Sequence, residues 1–162
     1  MTKSKKIVQV IVYWLIHLVW GFPTFIIGSL VALFMLLSWN APHRFGLCIY
    51  FTPKWLHGGG FSIGPYFFIP TSCDTSLSMK GHEHGHGIQT LWWGPLMLLV
   101  ISIPSAVRFF YRDFIEQSKR EQYKAGKITT EQYSTWLVSW PTYDSIWFER
   151  QATALGKKYF EV

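Results

Sequence analysis

The sequence is poor in cysteine, and its two cysteines are not arranged as a metal site. Cys48 and Cys73 show no CxxC spacing among the 162 residues of the chain. We therefore exclude them as metal ligands and expect buried thiols, although the two could pair if their region faced an oxidising compartment. The chain also lacks an internal repeat and a low-complexity linker. Its length predicts one domain, or one domain with a membrane anchor.

Acidic residues are scarce as well. Nine Asp and Glu residues stand against fifteen Lys and Arg residues, which gives a net charge of +6 at pH 7. A basic protein can bind nucleic acid, but here the basic residues form no patch interleaved with aromatic side chains, so we predict no nucleic-acid partner. Attraction to the anionic headgroups of a lipid bilayer explains the charge better.

Apolar and aromatic residues are abundant, at 49% and 19% of the chain, and nine of the aromatics are Trp. Trp and Tyr in such numbers often mark a membrane–water interface. Residues 7–39 carry almost no charge, and a signal-peptide cleavage site is not evident in them, so we predict an anchor that stays in the mature protein. This anchor could be one long helix kinked at Pro23, or two short helices in a re-entrant or shallow hairpin.

The segment His82-Glu83-His84-Gly85-His86 has the HExxH pattern. On a helix, residues four apart share one face, so His82 and His86 can bind one Zn²⁺ ion. Glu83 beside them could take a proton from a metal-bound water, whose pKa the metal lowers to about 7. Two simpler explanations compete with this one. A shuffled chain of this composition gives the pattern roughly once in a hundred, and a short His-rich tract can bind metal without catalysing anything.

A catalytic zinc usually takes three protein ligands, so the two histidines need an acidic partner. Glu149 stands out among the downstream acids, because residues 145–156 have near-helical apolar spacing with Gly156 as a plausible C-cap. Glu149 and the small residue Ala152 would share one face, which would let this helix approach the histidine helix closely. A solvated glutamate on an ordinary amphipathic helix is the alternative.

The order of these motifs along the chain is similar to that found in two groups of known proteins. The HExxH segment, a following apolar segment and Glu149-Arg150-Gln151-Ala152 resemble the gluzincin arrangement of HExxH, membrane helix and ExxA, as in the CAAX prenyl endopeptidases. Residues from about 20 to 158 also look like a set of small bacterial HEYGH-type metallopeptidases. The resemblance implies that Glu149 is the third zinc ligand.

Two residues depart from these families. His84 replaces the usual tyrosine of the HEYGH set, and Thr153 stands where the CAAX endopeptidases have an aspartate. The carboxylate that would orient a ligand imidazole is therefore not supplied at residue 153, and Asp144 is one candidate to replace it.

Residues 45–52 and 61–69 are rich in aromatic and β-branched residues and predict a small β-hairpin with a long glycine turn. A strand just before an HExxH helix is where zincins, by resemblance, hold an extended substrate, and an unpaired strand edge can do so. The predicted substrate-binding residues are Phe61, Ser62, Ile63 and Gly64; an ordinary structural hairpin is the alternative.

The remaining segments predict helices. We expect an active-site helix over about 78–93 with Ser76 or Ser78 as its cap, and a second helix over about 95–111 bent at Pro104. Residues 112–135 look like a solvated helical hairpin. If Glu149 meets the two histidines, the chain between them must return to the same depth in the membrane. This favours a re-entrant or shallow bent unit over a simple membrane-spanning helix.

Together these features predict an α+β, mainly α fold with a hydrophobic N-terminal helix or helix pair, a small β-hairpin and a zincin-like active-site helix plus packed helices. Residues 1–40 would be the membrane anchor and residues 41–162 a metallopeptidase domain. The predicted function is a zinc endopeptidase, integral to or deeply embedded in a bacterial cytoplasmic membrane, that cuts a membrane-proximal peptide or protein. The alternative is a non-enzymatic membrane metal-binding protein, or a toxin/immunity-type interaction protein with a zincin-like shell.

Overall fold

The N-terminal apolar stretch folds as two helices that meet at a sharp bend. In the computed structural model, which describes residues 3–160, α1 spans Lys3–Val19 and α2 spans Phe22–Leu37. Pro23 lies in the first turn of α2, where its missing N–H costs no hydrogen bond. The two helices are bent by 105°. Of the two alternatives for residues 7–39, the chain therefore adopts the helix pair.

A four-stranded sheet follows, with strands β1 to β4 in the spatial order β1-β2-β4-β3. The pairs β1–β2 and β3–β4 are antiparallel, whereas the central pair β2–β4 is parallel. In chain order, the strands span His43–Phe45, Cys48–Phe51, Phe61–Ile63 and Tyr66–Phe68.

The prediction of a single hairpin between residues 45–52 and 61–69 was wrong. The sequence forms two tight hairpins instead, and each turns at a glycine with positive φ, Gly46 at 59° and Gly64 at 62°. Glycine reaches this backbone conformation without the steric cost that a side chain brings, which suits it to two-residue hairpin turns. The glycine-rich stretch 58–60 therefore connects two hairpins rather than two strands of one.

Four further helices complete the fold, which is mostly helical with one small sheet, as predicted. Ser76 caps α3, and its side chain accepts a hydrogen bond from the Met79 N–H. A 3₁₀ turn at Gly94–Leu96 and a π-helical stretch at Leu98–Ser102 follow the helix that Ser76 caps. The helix predicted for about 95–111 therefore begins later than expected, at Ile103, and ends later, at Lys124. The helices are α3 (Leu77–Trp93), α4 (Ile103–Lys124), α5 (Thr130–Ser139) and α6 (Trp147–Phe160).

Helices α3 and α6 approach each other closely. A Cβ on Gly85 would lie 2.0 Å from the Ala152 carbonyl oxygen, and a Cβ on Gly156 would lie 2.1 Å from the Gly81 carbonyl oxygen. The two backbones are therefore in contact, which only glycine permits at these points. Gly156 does not end its helix as predicted, because α6 continues past it to Phe160 and uses the glycine for packing.

The N-terminal helices share hydrophobic cores with the sheet. Tyr13 of α1 is buried with Cys48 and Phe67, and Met35 of α2 is buried with Phe51 and Phe68. These contacts fix α1 and α2 against the sheet, and Met79 and Leu91 of α3 pack against the first of the two clusters. The domain boundary at residue 40 stays a prediction.

By length and composition, none of the individual helices within residues 3–160 is sufficient to cross a membrane. Two bent pairs of helices meet that criterion when the two members of a pair are taken together. The first pair is Ser4–Val19 with Phe22–Leu37. The second pair is Leu77–Leu96 with Leu98–Lys124, and it is bent by 116°.

Candidate metal centre

The fold brings His82, His86 and Glu149 together. His82 Nε2 and His86 Nε2 lie 3.2 Å apart, and Glu149 Oε2 lies 3.1 Å from the first and 3.2 Å from the second. The histidines share one face of α3 because they are one turn apart. Glu149 reaches them because Gly85 lets α6 touch α3 at Ala152. Three atoms that can each bind a cation therefore converge on one point.

A chain of hydrogen bonds sets the tautomer of His82. The Thr153 hydroxyl donates to Asp144 Oδ2 over 3.1 Å, because a carboxylate oxygen can only accept. The Thr153 oxygen is then the acceptor for His82 Nδ1, which lies 2.8 Å away. The ring proton of a neutral His82 is thus held on Nδ1, and the lone pair of Nε2 faces the centre.

A second network does the same for His86. Gln89 Nε2 donates to the Phe148 carbonyl oxygen over 2.8 Å and to Gln151 Oε1 over 2.9 Å. The other end of this amide, Oε1, is therefore an acceptor, and it lies 2.7 Å from His86 Nδ1. The proton of a neutral His86 is held on Nδ1 as well, and its Nε2 lone pair also faces the centre.

The result is a buried cluster of three electron-pair donors. The Glu149 side chain is 0% exposed, and the side chains of His82 and His86 are 16% and 9% exposed. Among the described residues, neither Glu149 carboxylate oxygen has a hydrogen-bond donor in ordinary geometry. Burial acts to raise the pKa of Glu149, but a protonated imidazole beside the carboxylate favours its charged form and holds that pKa well below its ordinary value. A carboxylate buried without a donor needs a positive charge, from a bound cation or from a protonated imidazole.

The spacing fits a tetrahedral zinc ion. Zinc bonds of about 2.0–2.1 Å to nitrogen and oxygen place two tetrahedral ligand atoms roughly 3.3 Å apart. The three observed separations are 3.1 to 3.2 Å. A shift of a few tenths of an ångström would therefore fit the ion.

Glu83 lies on the same helix but outside the ligand set. The residue is 5% exposed, and its carboxylate accepts a hydrogen bond from the Ser62 hydroxyl over 2.5 Å. A Cβ on Gly60 would lie 2.7 Å from Glu83 Oε1, so the glycine-rich connection passes directly over this carboxylate.

The four residues predicted to bind substrate have different surroundings. Ser62 contacts Glu83, as described, but Phe61 stacks on Phe68 within the sheet. The carbonyl of Ile63 lies 2.4 Å from where a Cβ on Gly28 would stand, so this end of β3 packs on α2. Gly64 occupies the hairpin turn.

Tyr143 also lies at the centre. Its ring is 6.1 Å from that of His82, and its hydroxyl is 3.2 Å from the Ser105 hydroxyl. Burial is the main cause that raises the pKa of Tyr143 to about 12, so its hydroxyl keeps its proton at neutral pH. Tyr143 lies six residues before Glu149, but nothing in the spacing joins it to Ser105, which is 38 residues away.

His84, the histidine that departs from the HEYGH pattern, faces away from the cluster. It is fully buried, and its Nε2 accepts a hydrogen bond from the Leu47 N–H over 3.3 Å. Its neighbours include the rings of Phe45 and Tyr159. Helical geometry explains this, since a residue two positions from His82 points to the opposite side of α3.

Residues 1–131 match the family of binding-protein-dependent transport system inner membrane components. The chain belongs to this family. No curated protein and no solved structure matches it. His82 and His86 lie inside the matched range of this inner membrane component, whereas α6, with Glu149, lies beyond it.

The family overturns the prediction of a zinc metallopeptidase, which was wrong. Inner membrane components of transport systems are not hydrolases, and neither the non-enzymatic nor the toxin/immunity alternative is supported. The catalytic role given to Glu83 belonged to that prediction and goes with it. The physical reason is that the HExxH spacing specifies how one helix can hold a cation and does not specify what the cation does.

The predicted peptide or protein substrate was wrong for the same reason. An inner membrane component of a transport system implies a binding protein and an ATPase as its partners. The predicted location, the bacterial cytoplasmic membrane, is confirmed by the family. Zinc and its three ligands stay a prediction.

Proposed function

We propose that this protein is a membrane component of a binding-protein-dependent transport system, and that it holds one zinc ion through His82, His86 and Glu149. The family supports the first part, and a binding protein and an ATPase would be its partners. The observation that supports the second part is the convergence of two oriented Nε2 lone pairs on a buried carboxylate.

The donor set favours zinc over the common hard cations. Imidazole nitrogen suits zinc and related transition metals, whereas calcium and magnesium prefer six or more oxygen ligands. In this proposal three side chains on the packed helices α3 and α6 hold the metal. The ion would stabilise the contact between the two helices, because its ligands come from both.

The zinc proposal predicts the metal content of the protein. Protein purified in detergent without added chelator should contain one zinc per chain by elemental mass spectrometry, and His82→Ala should contain much less. His57→Ala is the matched control, because His57 is exposed in the loop before β3. Chelation should lower the melting temperature of the wild type and of His57→Ala, since an ion that binds only the folded state stabilises it. Equal zinc content in the two variants would contradict the assigned ligand.

The transport proposal predicts a nucleotide-binding partner. Tagged protein, purified from its native membrane after mild crosslinking, should retain an ATPase subunit that mass spectrometry identifies by its phosphate-binding loop sequence. An unrelated membrane protein with the same tag is the control and should retain none. Recovery of intact protein with no ATPase subunit above that control would contradict the transport role and leave the zinc proposal standing.

A further inference from the structure

Asp144 and Thr153 form a charged support behind His82. Asp144 lies in the 3₁₀ turn Tyr143–Ser145, and Thr153 lies on α6. The Thr153 hydroxyl joins the Asp144 carboxylate to His82 Nδ1 through separations of 3.1 and 2.8 Å. Both residues are half-buried, so solvent weakens these hydrogen bonds less than it would at the surface.

Arg108 of α4 holds the turn that carries Asp144. Its Nη2 donates to the carbonyl oxygens of Thr142 and Tyr143 over 3.0 and 3.3 Å, and to the Ser145 hydroxyl over 2.7 Å. The three accepting residues lie on both sides of Asp144 in the sequence. The carboxylate is therefore fixed by a helix other than the two that carry the metal ligands.

The supports behind the two histidines differ in charge. His86 has a neutral amide network through Gln89, whereas the network behind His82 ends on a carboxylate. A hydrogen-bond acceptor behind a ligand imidazole fixes its orientation and raises its basicity, and a carboxylate does this more strongly than an amide. His82 is also the more exposed of the two ligand side chains, 16% against 9%, so it has the greater need of an orienting partner.

We propose that Thr153 and Asp144 are positioning residues that set the affinity of the centre for zinc, with Thr153 relaying the carboxylate of Asp144 to His82. This inference rests on the proposed zinc site. Such partners typically contribute a factor of 10 to 100 in metal affinity. The hydroxyl is essential to the relay because it accepts from the imidazole and donates to the carboxylate at the same time.

The relay predicts an order of affinities. Thr153→Val keeps the shape of the side chain and removes both hydrogen bonds, so it should weaken zinc binding by about 10- to 100-fold. Asp144→Asn keeps an acceptor and removes the charge, so its effect should be smaller. Thr153→Ser keeps the hydroxyl and should restore an affinity close to that of the wild type.

The test measures zinc dissociation constants by competition with a chromophoric chelator, using the full chain in detergent. The matched controls are Thr135→Val on α5 and Asp113→Asn on α4, since both residues are exposed and far in sequence from the ligands. A purely structural role would not change the ligand field, so the visible absorption of the Co²⁺-substituted protein is recorded as well. We expect its bands to shift in Thr153→Val and to return in Thr153→Ser.

Two failures can be told apart. If wild-type protein binds no zinc, the zinc site and the relay that rests on it both fail, while the transport role stands. If wild type binds zinc and Thr153→Val binds it equally well with an unchanged Co²⁺ spectrum, the relay is wrong and the zinc site stands. Weak binding by Thr153→Val that Thr153→Ser does not correct would also contradict the relay, because shape rather than the hydroxyl would then decide.

Discussion

Glu149→Gln should remove zinc from the protein without unfolding it. Zinc sites that stabilise a fold bind with about 10–16 kcal/mol, so losing one of the three protein ligands should cost roughly 3–5 kcal/mol, or more than a hundredfold in the dissociation constant. The amide should be tolerated in the metal-free protein, because its NH₂ group can donate to the Nε2 atoms of His82 and His86 that now face a carboxylate. The buried negative charge, which lacks an ordinary donor, disappears at the same time.

Two measurements separate loss of metal from loss of fold. Elemental analysis should show much less zinc in Glu149→Gln than in the wild type, while the melting temperature in excess chelator should be equal to or above that of the wild type. Glu121→Gln, an exposed change of the same kind on α4, should keep both zinc and stability. Glu83→Gln should also keep zinc, because its carboxylate is outside the ligand set. Full zinc content in Glu149→Gln would show that another acid completes the site.

Gly85→Ala should lower both the stability of the fold and the zinc content, unlike Glu149→Gln, which should lower the zinc content alone. The added Cβ would lie 2.0 Å from the Ala152 carbonyl oxygen, and backbone atoms on both sides leave it no flexible neighbour to displace. The helices must separate, which typically costs about 1–3 kcal/mol of stability for overpacking and here also moves Glu149 away from the histidines. Zinc affinity should fall in parallel, because ligands must be held within a fraction of an ångström.

Gly81→Ala is the matched control, one turn earlier on the same helix. A Cβ at Gly81 would meet nothing closer than the Gly156 carbonyl carbon at 3.8 Å, which is ordinary van der Waals contact. Alanine is favoured over glycine within a helix by about 1 kcal/mol, so this variant should be as stable as the wild type or more so. Denaturant unfolding in detergent compares the two. Equal stability of the Gly81 and Gly85 variants would contradict the backbone contact between α3 and α6.

Local spacing explains the part of the site that the sequence could predict. His82 and His86 are one turn apart, so a helix alone brings them together. Glu149 could be proposed because a small residue stands one turn after it, and the structure shows that Ala152 does touch α3. Asp144 was among the candidates to orient a ligand imidazole, but its link to His82 could not be predicted, since it runs through the Thr153 hydroxyl, which gives no signal of its own and is 71 residues away from His82.

The sheet and the function were mispredicted for different reasons. The two predicted stretches contain β2, β3 and β4, whereas β1 begins before the first of them. Pairing depends on turn geometry, and Gly46 and Gly64 place the turns inside the two stretches rather than between them. The function was mispredicted because a metal-binding pattern was taken to specify hydrolysis. Residues 1–131 carry the family relationship, and no local motif within them had indicated transport.

The position of Glu149 also has a consequence for the order in which the chain acquires its metal. The ribosome releases α3 well before α6, and Glu149 follows His86 by 63 residues. On the proposed zinc site, the two histidines alone could bind the ion only weakly, and firm capture would wait until α6 has been made and has docked through its glycine contact. Tight zinc binding would then occur late in biogenesis. It would occur only in a chain in which α6 is docked, and not in a chain that was released or cleaved upstream of α6.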